Sequence, residues 1–330
     1  MNLKEKYKDD IVLIMSKINH NGGELWATKD KKISKGSPFD TRDAALMLCE
    51  LGFTKKDTII QEIADLIFSI WKPDGRFKIS PSGAIYPCHT IGAARILCYM
   101  GYSDDNRIKK TFEHLLETQQ LDGGWMCNKF NFGKGPETKY SNPGPTLEAL
   151  DAFRFTGLTN TDKRLDKAVE FLLWHWEIKK PIGPCHYGIG SLFMKTKFPF
   201  FRYNLFYYCY TLSFYKKAQK DKRFKDALIL LKKKLKNGKM IIENPNMQLA
   251  EMDFTSYMAK LMNKKRPMHI PAFAFKLLLG KDFYEIVRLN CKVSNEKAKR
   301  LLEWKPEYPS YKEGLEMTIK EMEEKKNYFD

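Results

Sequence analysis

Apolar residues recur at helical spacing along the first three-quarters of the chain. After Asp57, apolar side chains occupy positions 59, 60, 63, 64, 67, 68 and 71, and similar series follow Asp105 and Asp162. These spacings fit the 3.6-residue period of an amphipathic helix. We therefore predict helices with one buried face, each capped by the aspartate that precedes it.

A repeated turn precedes each of these helix starts. It consists of glycine, an apolar residue, Ser or Thr, two variable residues, and then Asp or Asn. The copies begin at Gly52, Gly101 and Gly157. Glycine can adopt the left-handed conformation that ends a helix, so each copy predicts the end of one helix and the start of the next.

Glycine-containing turns mark a second feature of the same repeat, of about 50 residues. Gly23, Gly75 and Gly124 are separated by 52 and 49 residues. A loop and a second helix, rich in small residues, follow each turn. The unit is then a helical hairpin used four or five times, which must stack to bury its faces. Periodicity alone leaves open an open solenoid or a closed ring. The second helices are expected near residues 41–51, 89–100, 146–156 and 203–215.

The segment Gln119-Gln120-Leu121-Asp122-Gly123-Gly124-Trp125 resembles the glutamine–tryptophan repeat of the terpenoid (squalene) cyclase and protein prenyltransferase superfamily, and residues 73–77 are a weaker copy. The resemblance covers residues 1–245. It implies an all-α fold, an α/α toroid, with a central cavity that takes an apolar, isoprenoid-like ligand. The cyclase DxDD segment and the zinc-binding Asp-x-Cys pair of the prenyltransferases are both absent from the sequence. Neither chemistry carries over, so whether the chain is an enzyme stays open.

Residues 246–330 resemble a different family, the NAD-dependent epimerases of the extended short-chain dehydrogenases. The match to their C-terminal substrate lobe is carried by residues 293–300 and by Trp304-Lys305-Pro306. The chain does not contain the glycine-rich fingerprint that binds pyrophosphate. We therefore expect a small, mainly helical appendage without a Rossmann fold, not a working dehydrogenase.

Composition and charge restrict the setting and the partners. A net charge of +17 attracts anionic membranes or other polyanions, although a solvated basic surface explains it equally simply. No nucleic-acid-binding motif is recognisable, so we expect no specific nucleic acid. The seven cysteines form no CxxC pair, and the N-terminus has no apolar signal core. These features predict a cytoplasmic protein.

The candidate site residues lie where the second helices begin, facing the predicted cavity. Asp40 is a candidate general acid, or simply a helix cap. Cys88 and His89 form one Cys-His doublet and Cys185 and His186 another, and together they could supply a nucleophile and base or a zinc set of unusual spacing. The alternative is that they only line the cavity.

Aromatic and basic residues supply the candidate ligand contacts. The segment from Lys197 to Tyr203 leads into further tyrosines, and aromatic faces suit isoprenoid chains and cationic intermediates. The alternatives are an ordinary aromatic core, or a membrane-binding surface built from residues 198–203. The predicted ligand-binding residues are Tyr86, Tyr187, Arg202, Tyr203 and Tyr207.

Two hypotheses of function follow from the sequence. The first is a toroid that binds or processes an apolar, isoprenoid-like molecule, with no cofactor specified by the sequence. The second is a non-catalytic interaction scaffold whose epimerase-like segment docks a partner.

Overall fold

The computed structural model describes residues 3–198, 202–236, 239–240, 243–245 and 316–317. The chain divides into two compact units, residues 1–246 and 247–330. Nearly all of the epimerase-like segment, including residues 293–300 and 304–306, lies outside the described residues. The helices of the first unit are α1 (Leu3–Lys6), α2 (Lys8–Ser16), α3 (Thr41–Glu50), α4 (Thr58–Phe68), α5 (Pro87–Tyr99), α6 (Asn106–Glu117), α7 (Pro143–Phe153), α8 (Lys163–Ile178), α9 (Ser191–Met194), α10 (Leu205–Leu212), α11 (Lys216–Lys220) and α12 (Lys222–Lys232).

Strands are minor in the described part of the chain, and the prediction of a mainly helical protein is confirmed there. A short 3-10 helix spans Pro136–Lys139. Lys197–Phe198 pairs in parallel with Asn244–Pro245, and Leu235–Lys236 pairs antiparallel with Lys239–Met240. Each of these strands has only two residues.

The helices pack in pairs, but each pair joins the second helix of one predicted unit to a helix that follows it, not the two helices of the same predicted unit. The pairs are α3 with α4, α5 with α6, α7 with α8, and α10 with α12. The first members of these pairs also contact one another in chain order, α3 to α5 to α7 to α10, and we call these four the inner helices. Helix α4 buries one face, whereas residues 89–98 of α5 are all buried. Small residues on the inner helices allow the neighbouring helices to pack closely against them.

Two of the three predicted caps are present: Asp105 and Asp162 each accept a hydrogen bond from the backbone N–H of an arginine two residues further on, whereas Asp57 makes no side-chain cap bond to α4. Asp221 caps α12 in the same way as Asp105 and Asp162. Gly52 and Gly101 have φ values of 93°, as a left-handed helix end requires. The third copy of the turn differs, because Gly157 does not have a positive φ. The prediction of a left-handed glycine there is wrong.

Prolines move two inner helices forward. Helix α5 begins at Pro87 and α7 at Pro143, whereas the sequence predicted starts near residues 89 and 146. Proline suits the first turn of a helix because its fixed φ is helical and its missing N–H is not needed there. The chemically loaded residues Cys88 and His89 therefore lie within the first turn of α5.

The Gln119–Trp125 segment joins three helices. The Gln119 side-chain amide donates to the carbonyl oxygens of Gly123 and of Arg164, which lies on α8. Trp125 is 1 % exposed, and its indole N–H donates to the carbonyl oxygen of Leu115 at the end of α6. Its backbone N–H donates to Thr146 Oγ1 on α7 at 3.1 Å. The segment therefore acts as a structural connector within the repeat.

Candidate functional site at the amino ends of the inner helices

Two loops meet over the amino ends of α5 and α7. Asn142, the buried residue before α7, holds both loops with one side chain. Its Nδ2 donates to the carbonyl oxygen of Cys127 at 2.9 Å, and its Oδ1 accepts from the backbone N–H of Cys185 at 3.0 Å. Because a buried amide with satisfied ends is rigid, the cysteine-bearing loops are fixed in place.

The partner of Cys88 is Cys127 and not His89. The pKa of Cys127 lies at about 6, because the neighbouring Cys88 side chain and the backbone N–H groups of Lys129 and Cys88 favour its anion. The same contact, together with burial, raises the pKa of Cys88. Near neutral pH this environment favours a Cys127 thiolate beside a Cys88 thiol, while the Cys127 side chain is only 1 % exposed.

Cys185 completes a group of three neighbouring cysteines. Its thiol points to the carbonyl oxygens of Cys127 at 3.4 Å and of Phe130 at 3.6 Å. Burial raises the pKa of Cys185, so it stays a thiol at neutral pH. The described cysteines are all free, and no group of three or more His, Cys, Asp or Glu residues in the described ranges has an arrangement that could hold a metal ion.

His89 is held as a neutral ring. It is 4 % exposed, its Nε2 lies 2.8 Å from Lys129 Nζ, and its Nδ1 lies 3.2 Å from Ser34 Oγ. Since the lysine can only donate, Nε2 accepts and the Nδ1–H donates to Ser34. Burial, with the charges of Arg42 and Lys129, lowers the pKa of His89 to about 3. His89 therefore positions Lys129 near the Cys127 sulfur.

Asp40 is a helix cap with an unusual pKa. Its side chain accepts from the backbone N–H of Asp43 at 2.9 Å, as the simpler alternative for this residue predicts. Burial and the neighbouring Asp43 carboxylate raise the pKa of Asp40 to about 6. Asp43 itself is ion-paired with Arg202 and accepts from Ser37 Oγ at 2.7 Å. Arg202 lies just before α10, so this ion pair joins the first inner helix to the last one.

The structure gives the remaining predicted residues other partners than the cysteine pair. His186 is exposed, with its Nε2 3.8 Å from a Glu137 carboxylate oxygen, and it does not join Cys88. The Tyr187 ring contacts the Tyr203 ring edge-on at 5.3 Å between centroids. Tyr203 O–H lies 2.8 Å from Nδ1 of the fully buried His175, an aromatic core contact rather than an open ligand wall. Tyr86 immediately precedes α5, and its ring lies 6.0 Å from that of His89.

Charged side chains fill the space between the inner helices. Asp151 on α7 accepts from Arg95 Nε at 2.5 Å, from Arg154 Nε at 2.7 Å and from Tyr207 O–H at 2.9 Å, and its side chain is 0 % exposed. One cavity among the described residues of these helices has a volume of about 10 Å³. It is lined by Arg42, Asp43, Leu46, Gly92, Arg95, Ile96, Glu148 and Arg202. This volume is close to the minimum for one water molecule and leaves no room for an apolar chain in this conformation.

Apolar surface is instead exposed beside the cysteines. Phe130 and Phe132 are 50 % and 66 % exposed, and their rings stack with centroids 5.5 Å apart. The Phe132 backbone N–H donates to the carbonyl oxygen of Pro184, next to Cys185. We call this stacked pair, Phe130 and Phe132, the aromatic pair.

Comparison with protein-family models and with curated proteins finds no match to this chain. The site is therefore interpreted from its own geometry.

Several central residues of the site were not singled out from the sequence. Cys127 and Lys129 were not considered because neither stands in a helix start or beside a histidine. One signal was available: Cys127 follows Trp125, the end of the repeat segment, by two residues. The residue at this position therefore lies in the loop that leads to the next inner helix.

Proposed function

We propose that the four hairpins close into an α/α toroid, the architecture that the resemblance to the cyclases and prenyltransferases implies. The Arg202–Asp43 ion pair supports closure, because it joins the hairpins that are furthest apart in the chain. An open solenoid would separate its first and last repeats. Because side chains fill the centre of the proposed ring, we infer that its chemistry takes place at the amino ends of the inner helices.

We further propose that the chain is a thiolate-dependent enzyme acting on an apolar compound at the amino ends of the inner helices. One observation carries the proposal: Cys127 neighbours Cys88, whose side chain, with the backbone N–H groups of Lys129 and Cys88, lowers the pKa of Cys127 to about 6. These groups stabilise the anion and leave it nucleophilic at neutral pH. The adjacent aromatic pair would contact the apolar part of the compound.

The reaction class follows from these groups. The Cys127 thiolate would attack an electrophilic carbon, forming a carbon–sulfur bond while the leaving group departs with its electron pair. Lys129, held by His89 at 2.8 Å, can stabilise the anionic leaving group or donate a proton to it. Cys88 donates its hydrogen bond to the resting thiolate and so keeps it available.

The test is a titration of the thiolate by its ultraviolet absorbance in the full chain. The wild type should show a thiolate that forms with a midpoint near pH 6. Cys127→Ser should remove this step, and Cys88→Ala should raise its midpoint because one donor is lost. Cys49→Ser is the matched control, since burial raises the pKa of Cys49 to about 12 and the step should survive.

The same variants connect the thiolate to reactivity. Peptide mapping after prolonged exposure to iodoacetamide at neutral pH should find Cys127 modified despite its 1 % exposure, because the thiolate is the attacking form. A step near pH 6 that persists in Cys127→Ser would refute the assignment, and so would the absence of any such step in a wild-type protein with normal circular dichroism.

A non-catalytic interaction scaffold is the second candidate, favoured by the filled centre of about 10 Å³. If Cys127 proves to be an ordinary unreactive thiol, this alternative gains the support that the enzyme proposal loses.

A further inference from the structure

The aromatic pair belongs to a larger basic surface made by two connected loops. The Phe132 N–H donates to the Pro184 carbonyl oxygen at 2.9 Å, and the Gly183 N–H donates to the Glu137 carbonyl oxygen at 2.9 Å. These bonds hold residues 128–140 against residues 179–190. We call the surface of these two loops the basic rim.

Positive charge dominates the basic rim. Lys134, Lys139, Lys179 and Lys180 are all exposed there. The acidic residue of these two loops is Glu137, which faces His186 at 3.8 Å and accepts from the Gly135 backbone N–H. Beyond the rim, residues 178–220 contain no aspartate or glutamate at all. Little negative charge is therefore available nearby to neutralise the lysines.

Exposed phenylalanine beside exposed lysine is a specific combination. Stable protein–protein interfaces are depleted in lysine, whereas anionic lipid headgroups attract it and the acyl region accepts aromatic rings. The two Phe side chains project at 50 % and 66 % exposure from the same pair of loops that carries the exposed lysines. No helix in the described ranges has both the length and the apolar character needed to cross a bilayer.

We propose that the basic rim docks this protein on an anionic lipid bilayer, with Phe130 and Phe132 inserted among the headgroups. Cys127 lies on the same loop, so docking would bring the thiolate close to the membrane surface. This inference extends the proposed function, because it makes the bilayer the source of the apolar compound. Docking itself requires no reaction at Cys127.

The experiment is co-sedimentation of the full chain with large vesicles. The probes are phosphatidylcholine vesicles with and without phosphatidylserine, at low and high salt. The expected result is binding to the anionic vesicles alone, weakened by salt. Phe130→Ser/Phe132→Ser should reduce the partition coefficient at least tenfold, because the loss of two buried rings removes most of the apolar contribution.

Matched controls distinguish binding through the basic rim from non-specific hydrophobic adsorption and from general attraction by the net charge. Val12→Ser/Ile229→Ser removes two side chains of similar exposure, 57 % and 55 %, from other helices and should bind as the wild type does. Lys134→Gln/Lys139→Gln should weaken binding by roughly fivefold per lysine. Lys109→Gln/Lys163→Gln, on helices α6 and α8, should weaken vesicle binding much less.

Two outcomes would overturn the proposal. One is equal loss of binding in the rim variants and in their controls. The other is failure to bind anionic vesicles while duplex DNA or RNA binds with an affinity that does not depend on the aromatic pair. Cys127→Ser should sediment like the wild type, so a failed docking test and a failed thiolate test are distinguishable.

Discussion

Replacing Asp151 by asparagine tests how the centre of the helical unit is held together. The carboxylate is fully buried and accepts from Arg95, Arg154, Tyr99 and Tyr207. Burial alone would raise the pKa of Asp151, but the two arginine charges outweigh burial and the pKa lies below its ordinary value of 3.8. Asparagine keeps the shape, removes the negative charge and leaves two guanidinium groups in a buried centre.

The magnitude follows from the burial of the partners. Arg95 is 5 % exposed in its side chain and Arg154 is 12 % exposed, so water cannot easily replace the lost carboxylate. Removing one partner from a buried, hydrogen-bonded ion pair costs about 3–5 kcal/mol. That is a large part of a typical free energy of unfolding of about 5–15 kcal/mol.

The assay is urea denaturation followed by circular dichroism. With an m value of about 3 kcal/mol/M, the midpoint of Asp151→Asn should fall by roughly 1–1.7 M. Asp162→Asn is the control, because it removes an exposed pair with Arg164 yet keeps an effective helix cap. Its expected cost is below about 1 kcal/mol.

The pH dependence gives a second check with a defined sign. A carboxyl with a lowered folded pKa contributes stability above its unfolded pKa of about 3.8, and the contribution is lost as the pH falls through the folded value. The difference between the wild type and Asp151→Asn should therefore shrink in acid. A neutral-pH loss no larger than that of Asp162→Asn would refute the reasoning, since the arginines would then have adequate other partners.

Two further predictions concern the repeat turn and the first cap. Gly123→Ala should destabilise the fold by about 2 kcal/mol or more, because φ is +92° and the new Cβ would lie 2.5 Å from the Lys167 carbonyl oxygen. Urea denaturation measures this loss. Gly157→Ala is the control: a Cβ at Gly157 would have nothing within 4 Å, so stability should change by less than about 0.5 kcal/mol. Asp40→Asn should change how stability depends on pH. Because the pKa of Asp40 is about 6 in the folded protein and about 3.8 in the unfolded chain, wild-type stability declines as the pH rises through that range. Thermal melts of the variant should lack this decline. An unchanged profile in the variant would show that Asp40 does not titrate there.

The success of the helix predictions has a local cause. Asp105, Asp162 and Asp221 cap helices because a capping aspartate acts on backbone N–H groups only two or three residues away. The Gly157 prediction was wrong although the pattern was the same as at Gly52, since a helix end has more than one solution and the neighbouring chain selects it.

The site was only half predicted. The helix starts at Asp40 and Cys88 were correctly placed at the amino ends of inner helices. Cys88 was paired with its chain neighbour His89 and, across the cavity, with the second Cys-His doublet. The structure brings Cys88 to Cys127 instead and leaves His186 exposed. Contacts between residues 39 positions apart depend on how two loops pack, which their spacing does not encode.

What the sequence determined by itself is the repeat: the helical period, the capping aspartates and the glycine-containing turns, all of which act within one or two helical turns. Tertiary structure alone decided that Asp151 meets Arg95, that Arg202 meets Asp43 and that Cys127 meets Cys88. Charge–charge and hydrogen-bond partners are selected by distance in space, and a chain that folds back on itself sets those distances only when all its hairpins are packed.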